Sequence, residues 1–198
     1  MCSSSDEFDN TDTLDGCWTQ VNTPESAVVD INETNTGSMT IAFTDLSSDV
    51  NTGPFIHKTV MGDFDVSTYL SCNHDENSEA CSFAISLSPE VDPNNIAFIF
   101  LQYNDRKELA VGKIEDGVSD VSYEPNSAYF RIVRSDDTFT IYSSTDGTDW
   151  TSVDSFDGSF LGDTVSLGLS GATGNTEGNL VSIIDYIRFA EGSAVGQD

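Results

Sequence analysis

The chain has 198 residues, 37% of them hydrophobic and 10% aromatic, which is enough to bury a core and too apolar for a disordered acidic tail. Thirty-four acidic residues oppose seven Lys and Arg, a net charge of −27 that repels nucleic-acid phosphate and anionic lipid and attracts cations. No run approaches the roughly 20 apolar residues of a membrane span, so direct membrane insertion is not expected.

In chain order, the first block is acidic and turn-rich, from Ser3 to Asp15, with Phe8 and Leu14 as its core anchors. Short strands are predicted at 17–22 and 27–31, and 38–43 alternates cleanly, with Met39, Ile41 and Phe43 on one face. The stretch 45–53 reads as loop. Strands follow at 55–60 and 64–70, joined at Met61-Gly62-Asp63; in the second, Phe64, Val66 and Leu70 share a face and Asp65, Ser67 and Tyr69 take the other. The run 81–87 alternates again, and 96–101 is apolar on both faces, as a strand buried on both sides would be. Shorter strands are expected at 109–114 and 118–123.

The stretch from Tyr129 to Trp150 is the clearest. Phe130 and Ile132 alternate with Tyr129, Arg131 and Val133, Ser135-Asp136-Asp137 turns, Phe139 and Ile141 alternate with Thr138, Thr140 and Tyr142, and Thr145-Asp146-Gly147 turns again before a third strand opened by Trp150. Strands at 164–169 and 180–189 close the pattern. About a dozen strands spaced by Gly, Asn, Asp and Ser turns, with no helical periodicity, predict an all-β fold: one two-sheet antiparallel β-sandwich domain over 1–190 and a short polar tail over 191–198.

Four cysteines allow three pairings. Cys72 and Cys81 bracket a polar loop and are expected to close it as a hairpin-like disulfide, which leaves Cys2 to pair with Cys17. A competing reading makes Met1-Cys2-Ser-Ser-Ser a lipoprotein start with Cys2 lipidated. Another places zinc at His74 and the nearby cysteines, although the spacing matches no standard zinc pattern. The charge suggests a secreted or cell-surface protein. It is read either as marine or halophilic, with self-repulsion screened over about 4–5 Å at seawater-like salt, or as an ordinary acidic extracellular protein that binds some calcium.

Several segments resemble one family. Asp6-Glu-Phe-Asp9 with Leu14-Asp-Gly-Cys-Trp18, the run from Asn51 to Val66, the hairpins over 129–150 and Asp185-Tyr-Ile-Arg-Phe189 are similar to bacterial concanavalin A-like, laminin-G-like jelly-roll domains, including the domain of unknown function 1349 group. The resemblance implies a concanavalin A-like jelly roll. It implies no single activity, because that fold hosts lectins, glycan-binding modules, glycosidases and adhesion domains. It also implies a structural calcium tying the N-terminal segment to the last strand, with Asp6, Glu7, Asp9 and Asp185 as ligands; the alternative is solvation of the N-terminal acids with one of them paired to Arg188. Asp75, Glu76 and Glu79 form a second, weaker calcium candidate.

Catalysis is not expected. The strand-borne Glu-x-Asp-x-x-Glu of related glucanases is missing, and two histidines without a Gly-x-Ser-x-Gly elbow make no nucleophile. Asp146-Gly147 with Trp150 resembles a shortened Asp-box hairpin, a structural element. Trp18, Tyr103 and Tyr123 are further aromatic candidates for sugar stacking, against the alternative that they pack. The strand patterns turn Tyr69, Arg131, Tyr142 and His57 outward, with Gln102 or Trp150 at the margin, and the resemblance suggests that these strands share one curved sheet. The expected role is non-catalytic binding of a polysaccharide or other glycan; Arg131, either paired with a neighbouring Asp or kept for a ligand oxygen, favours an anionic one, while the −27 charge opposes a polyanion and leaves neutral glycans open. The alternatives are a structural or adhesive surface domain, or a glycoside hydrolase or lyase of the same fold.

Overall fold

The structure is a computed structural model. It describes residues 5–9, 18–21, 27–48, 55–74, 80–86, 96–103, 107–113, 117–122, 127–172 and 174–190, with side chains described at 5–9, 18–20, 27–42, 55–71, 129–169 and 181–190. Leu14, Tyr123, the acids Asp75, Glu76 and Glu79, and the 191–198 tail lie outside the described residues.

The described strands are β1 (Thr19–Val21), β2 (Ala27–Ile31), β3 (Met39–Ser48), β4 (Phe55–Met61), β5 (Phe64–His74), β6 (Ala80–Ser86), β7 (Ile96–Tyr103), β8 (Lys107–Lys113), β9 (Gly117–Ser122), β10 (Ser127–Ser135), β11 (Thr138–Ser144), β12 (Thr151–Asp157), β13 (Thr164–Ala172) and β14 (Gly174–Phe189). They form two seven-stranded antiparallel sheets, ordered β1-β4-β13-β6-β7-β8-β9 and β12-β11-β10-β5-β14-β3-β2. The expected strands are present. The stretch 45–48, read as loop, instead continues β3, paired with β14 through a register shift that its turn-like composition hides.

Alternation sets the core. Phe64, Val66 and Leu70 of β5, Phe130 and Ile132 of β10, and Phe139 and Ile141 of β11 all face inward, where they meet Ile56, Val60, Val165, Leu167 and Leu169 of the opposing sheet. Phe139 stacks on Phe156 at 5.5 Å and meets Phe64 edge-on at 6.0 Å. Arg134 shares the inward side of β10 and is buried. Its guanidinium lies 5.2 Å from the Phe139 ring and donates to the carbonyls of Asp136, Gly162 and Asp163, so this cation satisfies chain turns at one end of the sandwich.

Sheet membership corrects two expectations. β4 and β5 are separated only by Gly62-Asp63, yet they lie in different sheets, so the strands of His57 and Tyr69 do not share the one curved sheet expected and the connection between them is an arch. Gly62 makes this possible with φ +64, and its N–H donates to the Asp163 carbonyl at 2.9 Å. β5 and β6 are likewise in different sheets. Cys72 and Cys81 therefore do not face each other across a hairpin; a bond between them would cross from sheet to sheet. Cys2 and Cys17 lie outside the described residues, and so do the side chains of Cys72 and Cys81.

An N-terminal strap completes the second sheet. β3 pairs with β14 as far as Met39 and Ile184; beyond that point Asp6 takes over, exchanging both backbone hydrogen bonds with Ile187 at 2.7 and 2.8 Å. Phe8 follows into the core, 5.9 Å from Trp18.

Candidate functional site

The outer face of the second sheet gathers the aromatic and guanidinium side chains. The register of β14, β5 and β10 lines Tyr186, Tyr69 and Tyr129 up in one row across three strands. The adjacent outward row holds Arg188, Ser67, Arg131 and Tyr142 on β14, β5, β10 and β11. Tyr69 and Tyr129 pack against each other at 4.7 Å, tilted by 48°. The Arg131 guanidinium lies 5.4 Å from the Tyr142 ring and 5.9 Å from that of Trp150. Arg188 lies 3.7 Å from the ring of Tyr186.

Both guanidiniums are held side-on by a carboxylate. Arg131 Nε donates to Asp65 Oδ1 at 2.7 Å and Nη2 to Oδ2 at 2.5 Å. Arg188 makes the same fork with Glu7, at 2.7 and 2.6 Å. The hydrogen bonds to Asp65 raise the Arg131 pKa above its ordinary value, and those from Arg188 hold the Glu7 carboxyl below the usual glutamate range. Burial pushes the Tyr186 phenol up.

A β-bulge builds this face. Strict alternation from the buried Ile184 would send Tyr186 and Arg188 into the core. The β14–β5 register instead shifts between Ile184 and Tyr186, leaving Asp185 as the extra residue, so that Ile184 and Ile187 are both core while Tyr186 and Arg188 line the outer face. Sequence reading missed Tyr186 and Arg188 as site residues for this reason. The readable signal was the spacing of three between two apolar positions, Ile184 and Ile187, with an aspartate between them.

The hairpin after β11 supports the row. Asp146 Oδ1 accepts the N–H groups of Asp149 at 2.9 Å and Thr148 at 2.8 Å, which hold its carboxyl well below the usual range. Gly147, at φ +75, leaves room for the Tyr129 ring; a Cβ there would come within 3.1 Å of it. The turn is structural, as its Asp-box pattern suggested, and the ring packed on it is that of Tyr129.

Tyr69, Arg131 and Tyr142 thus share one sheet face, with Trp150 at its margin. His57 and Gln102 do not belong to it. His57 is on β4, in the other sheet; it points away from the core as its spacing from Ile56 and Val60 suggested, but it is buried to 1% exposure and stacked on Phe55 at 5.0 Å. Gln102 is on β7, also in the other sheet, with its side chain outside those described, as is that of Tyr103. Trp18 is buried against Phe8 and Lys58, so it offers no face to a sugar.

The four expected calcium ligands do not converge. Asp6 points inward, where its carboxylate accepts the Trp18 indole N–H at 2.8 Å and the Phe8 backbone N–H at 3.0 Å, 4.0 Å from buried Lys58 Nζ. Glu7 is paired outward with Arg188, and Asp9 and Asp185 are exposed. Among the described residues no three His, Cys, Asp or Glu side chains come together. The residues present do not fit a calcium site at this position.

The two sheets and their topology define a concanavalin A-like jelly-roll sandwich. The chain belongs to the family described as Protein of unknown function (DUF1349), whose model matches residues 21–188. No curated protein matches it in sequence. Among solved structures, the GH43 BlXynB protein from Bacillus licheniformis superposes with a TM-score of 0.77 at 18% identity over 93% of this chain, which spans 38% of that protein. The xylan β-1,4-xylosidase from Bacillus halodurans gives 0.69 at 13% identity, covering 96% of this chain and 40% of its own. Lectin I-B4 from Griffonia simplicifolia gives 0.65 at 13% identity, covering 95% of this chain and 99% of the lectin. At such identities the likeness is one of fold.

Proposed function

We propose that this chain is a non-catalytic carbohydrate-binding domain of the cell exterior, and that the outer face of the second sheet receives the glycan. The observation that carries the reading is the outward double row of Tyr69 and Tyr129 beside Arg188, Ser67, Arg131 and Tyr142; Tyr186, buried to 7% exposure with Arg188 3.7 Å from its ring, supports the row without facing a ligand. Phenol, hydroxyl and guanidinium groups stand together there on a rigid ladder, offering donors, acceptors and ring edges to sugar hydroxyls. Lectin and xylosidase neighbours of the same fold support it. The acidic composition and the four cysteines agree with an exported protein. Among the described residues of this face, Asp65 and Glu7 are each forked to an arginine and so not placed to flank a glycosidic bond, which favours binding without hydrolysis.

The test is calorimetric titration of plant and algal polysaccharides into the parent, Tyr142→Ala and Arg131→Lys, with folding checked by circular dichroism. Arg131→Lys keeps a cation beside Asp65 and loses the fork. Each change is expected to weaken binding by about 1–3 kcal/mol, or roughly five- to more than a hundredfold. Binding that is equal in all three proteins places the site elsewhere.

A further inference from the structure

Arg131 looks, in sequence, like a receptor for an acidic sugar. The geometry points to the opposite class: we infer that the ligand is a neutral glycan, recognised through its hydroxyls. The inference rests on the glycan-binding reading of this face. Its first ground is that neither guanidinium on the face is left with an unbalanced charge. Arg131 and Arg188 flank Ser67 at two strand spacings, about 9–10 Å apart, and each is forked to a carboxylate through Nε and Nη2. A forked pair has no net charge, yet it keeps donors at Nη1 and acceptor lone pairs on the carboxylate. Vicinal hydroxyls, each both donor and acceptor, match such a unit; a carboxylate or sulfate meets the pair's own carboxylate at close range.

The second ground is independent of the pairs. The chain carries −27, and a polyanion approaching it is repelled over a screening length of about 10 Å at 0.1 M salt. The two other cations whose side chains are described cannot offset this, and Lys107 and Lys113 lie on β8 in the other sheet. Arg134 is buried among chain carbonyls, and Lys58 is buried beside Asp6 and Trp18. The ring contacts agree with a neutral ligand. Arg188 against Tyr186 and Arg131 against Tyr142 hold the guanidinium planes in place, so their free N–H groups are presented in fixed positions.

The experiment uses matched pairs of one backbone: a neutral galactan and its sulfated counterpart, and a xylan with and without glucuronate branches. Each is titrated at about 0.05 and 0.5 M NaCl, which spans strong and weak screening. The expected result is that a neutral member binds, with an affinity that changes less than about twofold between the two salts, and that its acidic counterpart binds at least roughly tenfold more weakly at low salt. Glu7→Gln uncovers the Arg188 charge at the surface, and it should narrow that gap at low salt only. An acidic member binding as tightly as its neutral partner, with loss in Tyr142→Ala, overturns the neutral class and leaves the glycan site standing. No binding of any member, or binding indifferent to Tyr142→Ala, overturns the glycan reading itself.

Discussion

Lys58 is the most demanding charge in the described structure, and its dependence on Asp6 can be measured. It is 2% exposed, with its ammonium 4.4 Å from the Trp18 ring centroid and 4.0 Å from Asp6 Oδ2. At an effective dielectric constant near 20, two charges at that separation attract by about 4 kcal/mol. The Asp6 side chain is 23% exposed, which screens part of this, while its hydrogen bonds from Trp18 and Phe8 add to what is lost on truncation. Asp6→Ala should therefore destabilise by about 2–4 kcal/mol, toward the low end for breaking a buried pair. With an unfolding entropy of about 2.1 cal/mol/K per residue, that is a drop of roughly 5–10 °C in Tm. Lys58→Met removes the buried charge and keeps the packing on Trp18. In Lys58→Met, the further change Asp6→Ala should cost about 1–3 kcal/mol less than it does in the parent. Urea unfolding followed by Trp fluorescence gives all four free energies. If the two single effects add to within about 0.5 kcal/mol, Lys58 does not depend on Asp6 and the argument fails.

Further expectations follow from single contacts. Gly168 pairs with His57, and a Cβ there would lie 2.2 Å from the Ile56 carbonyl oxygen, so Gly168→Ala should destabilise by about 3 kcal/mol or more in the same assay, or abolish soluble expression. The hydrogen bonds from Arg188 depress the folded-state Glu7 pKa, so the contribution of this pair is complete above the ordinary glutamate value and disappears as pH falls through the folded one; carboxyl NMR should place the Glu7 midpoint below that of free glutamate, and in Arg188→Met the midpoint should return to it. Both groups are about half exposed, so the accompanying stability change should stay under about 1 kcal/mol. Added NaCl should raise Tm, because −27 of self-repulsion is screened; a flat response between low and high salt would mean that the acids are already neutralised locally. In the unreduced chain, mass spectrometry of the digest should link the Cys72 and Cys81 peptides, joining the sheets and stabilising by about 2–3 kcal/mol in the chain-entropy model; a Cys72–Cys17 linkage would remove that pairing.

Alternation reports which face of a strand a residue occupies, and not which sheet the strand joins. The β10–β11 hairpin was legible because its apolar period and its Asp136-Asp137 turn agree, so Tyr69, Arg131 and Tyr142 came out on the correct side. His57 also came out on the non-core side, yet on the wrong sheet, because nothing in the composition of Met61-Gly62-Asp63 distinguishes an arch from a hairpin. The fate of a charge is equally hidden. Lys58 lies at the apolar parity of Ile56 and Val60, and its ammonium is met there by Trp18 and Asp6, which come from a distant part of the chain.

The strap joins these two places. Asp6 and Glu7 are consecutive, and because Asp6 is bridged to Ile187 the period of two sends their side chains to opposite faces of the second sheet. Asp6 follows Ile187 inward, to Trp18 and Lys58; Glu7 follows Arg188 outward, to the edge of the tyrosine row. Ser5 continues the contact, with its hydroxyl accepting the Phe189 N–H at 2.9 Å. One short segment thus holds a buried cation on one side and neutralises an exposed guanidinium on the other. The bulge at Asp185 is what makes this work, since without it Ile187 and Arg188 would exchange faces, and the strap would bring Glu7 to the wrong side of the sheet. Charge balance on the outer face of the second sheet is therefore set by the same backbone bridge that secures the N-terminal segment to the core.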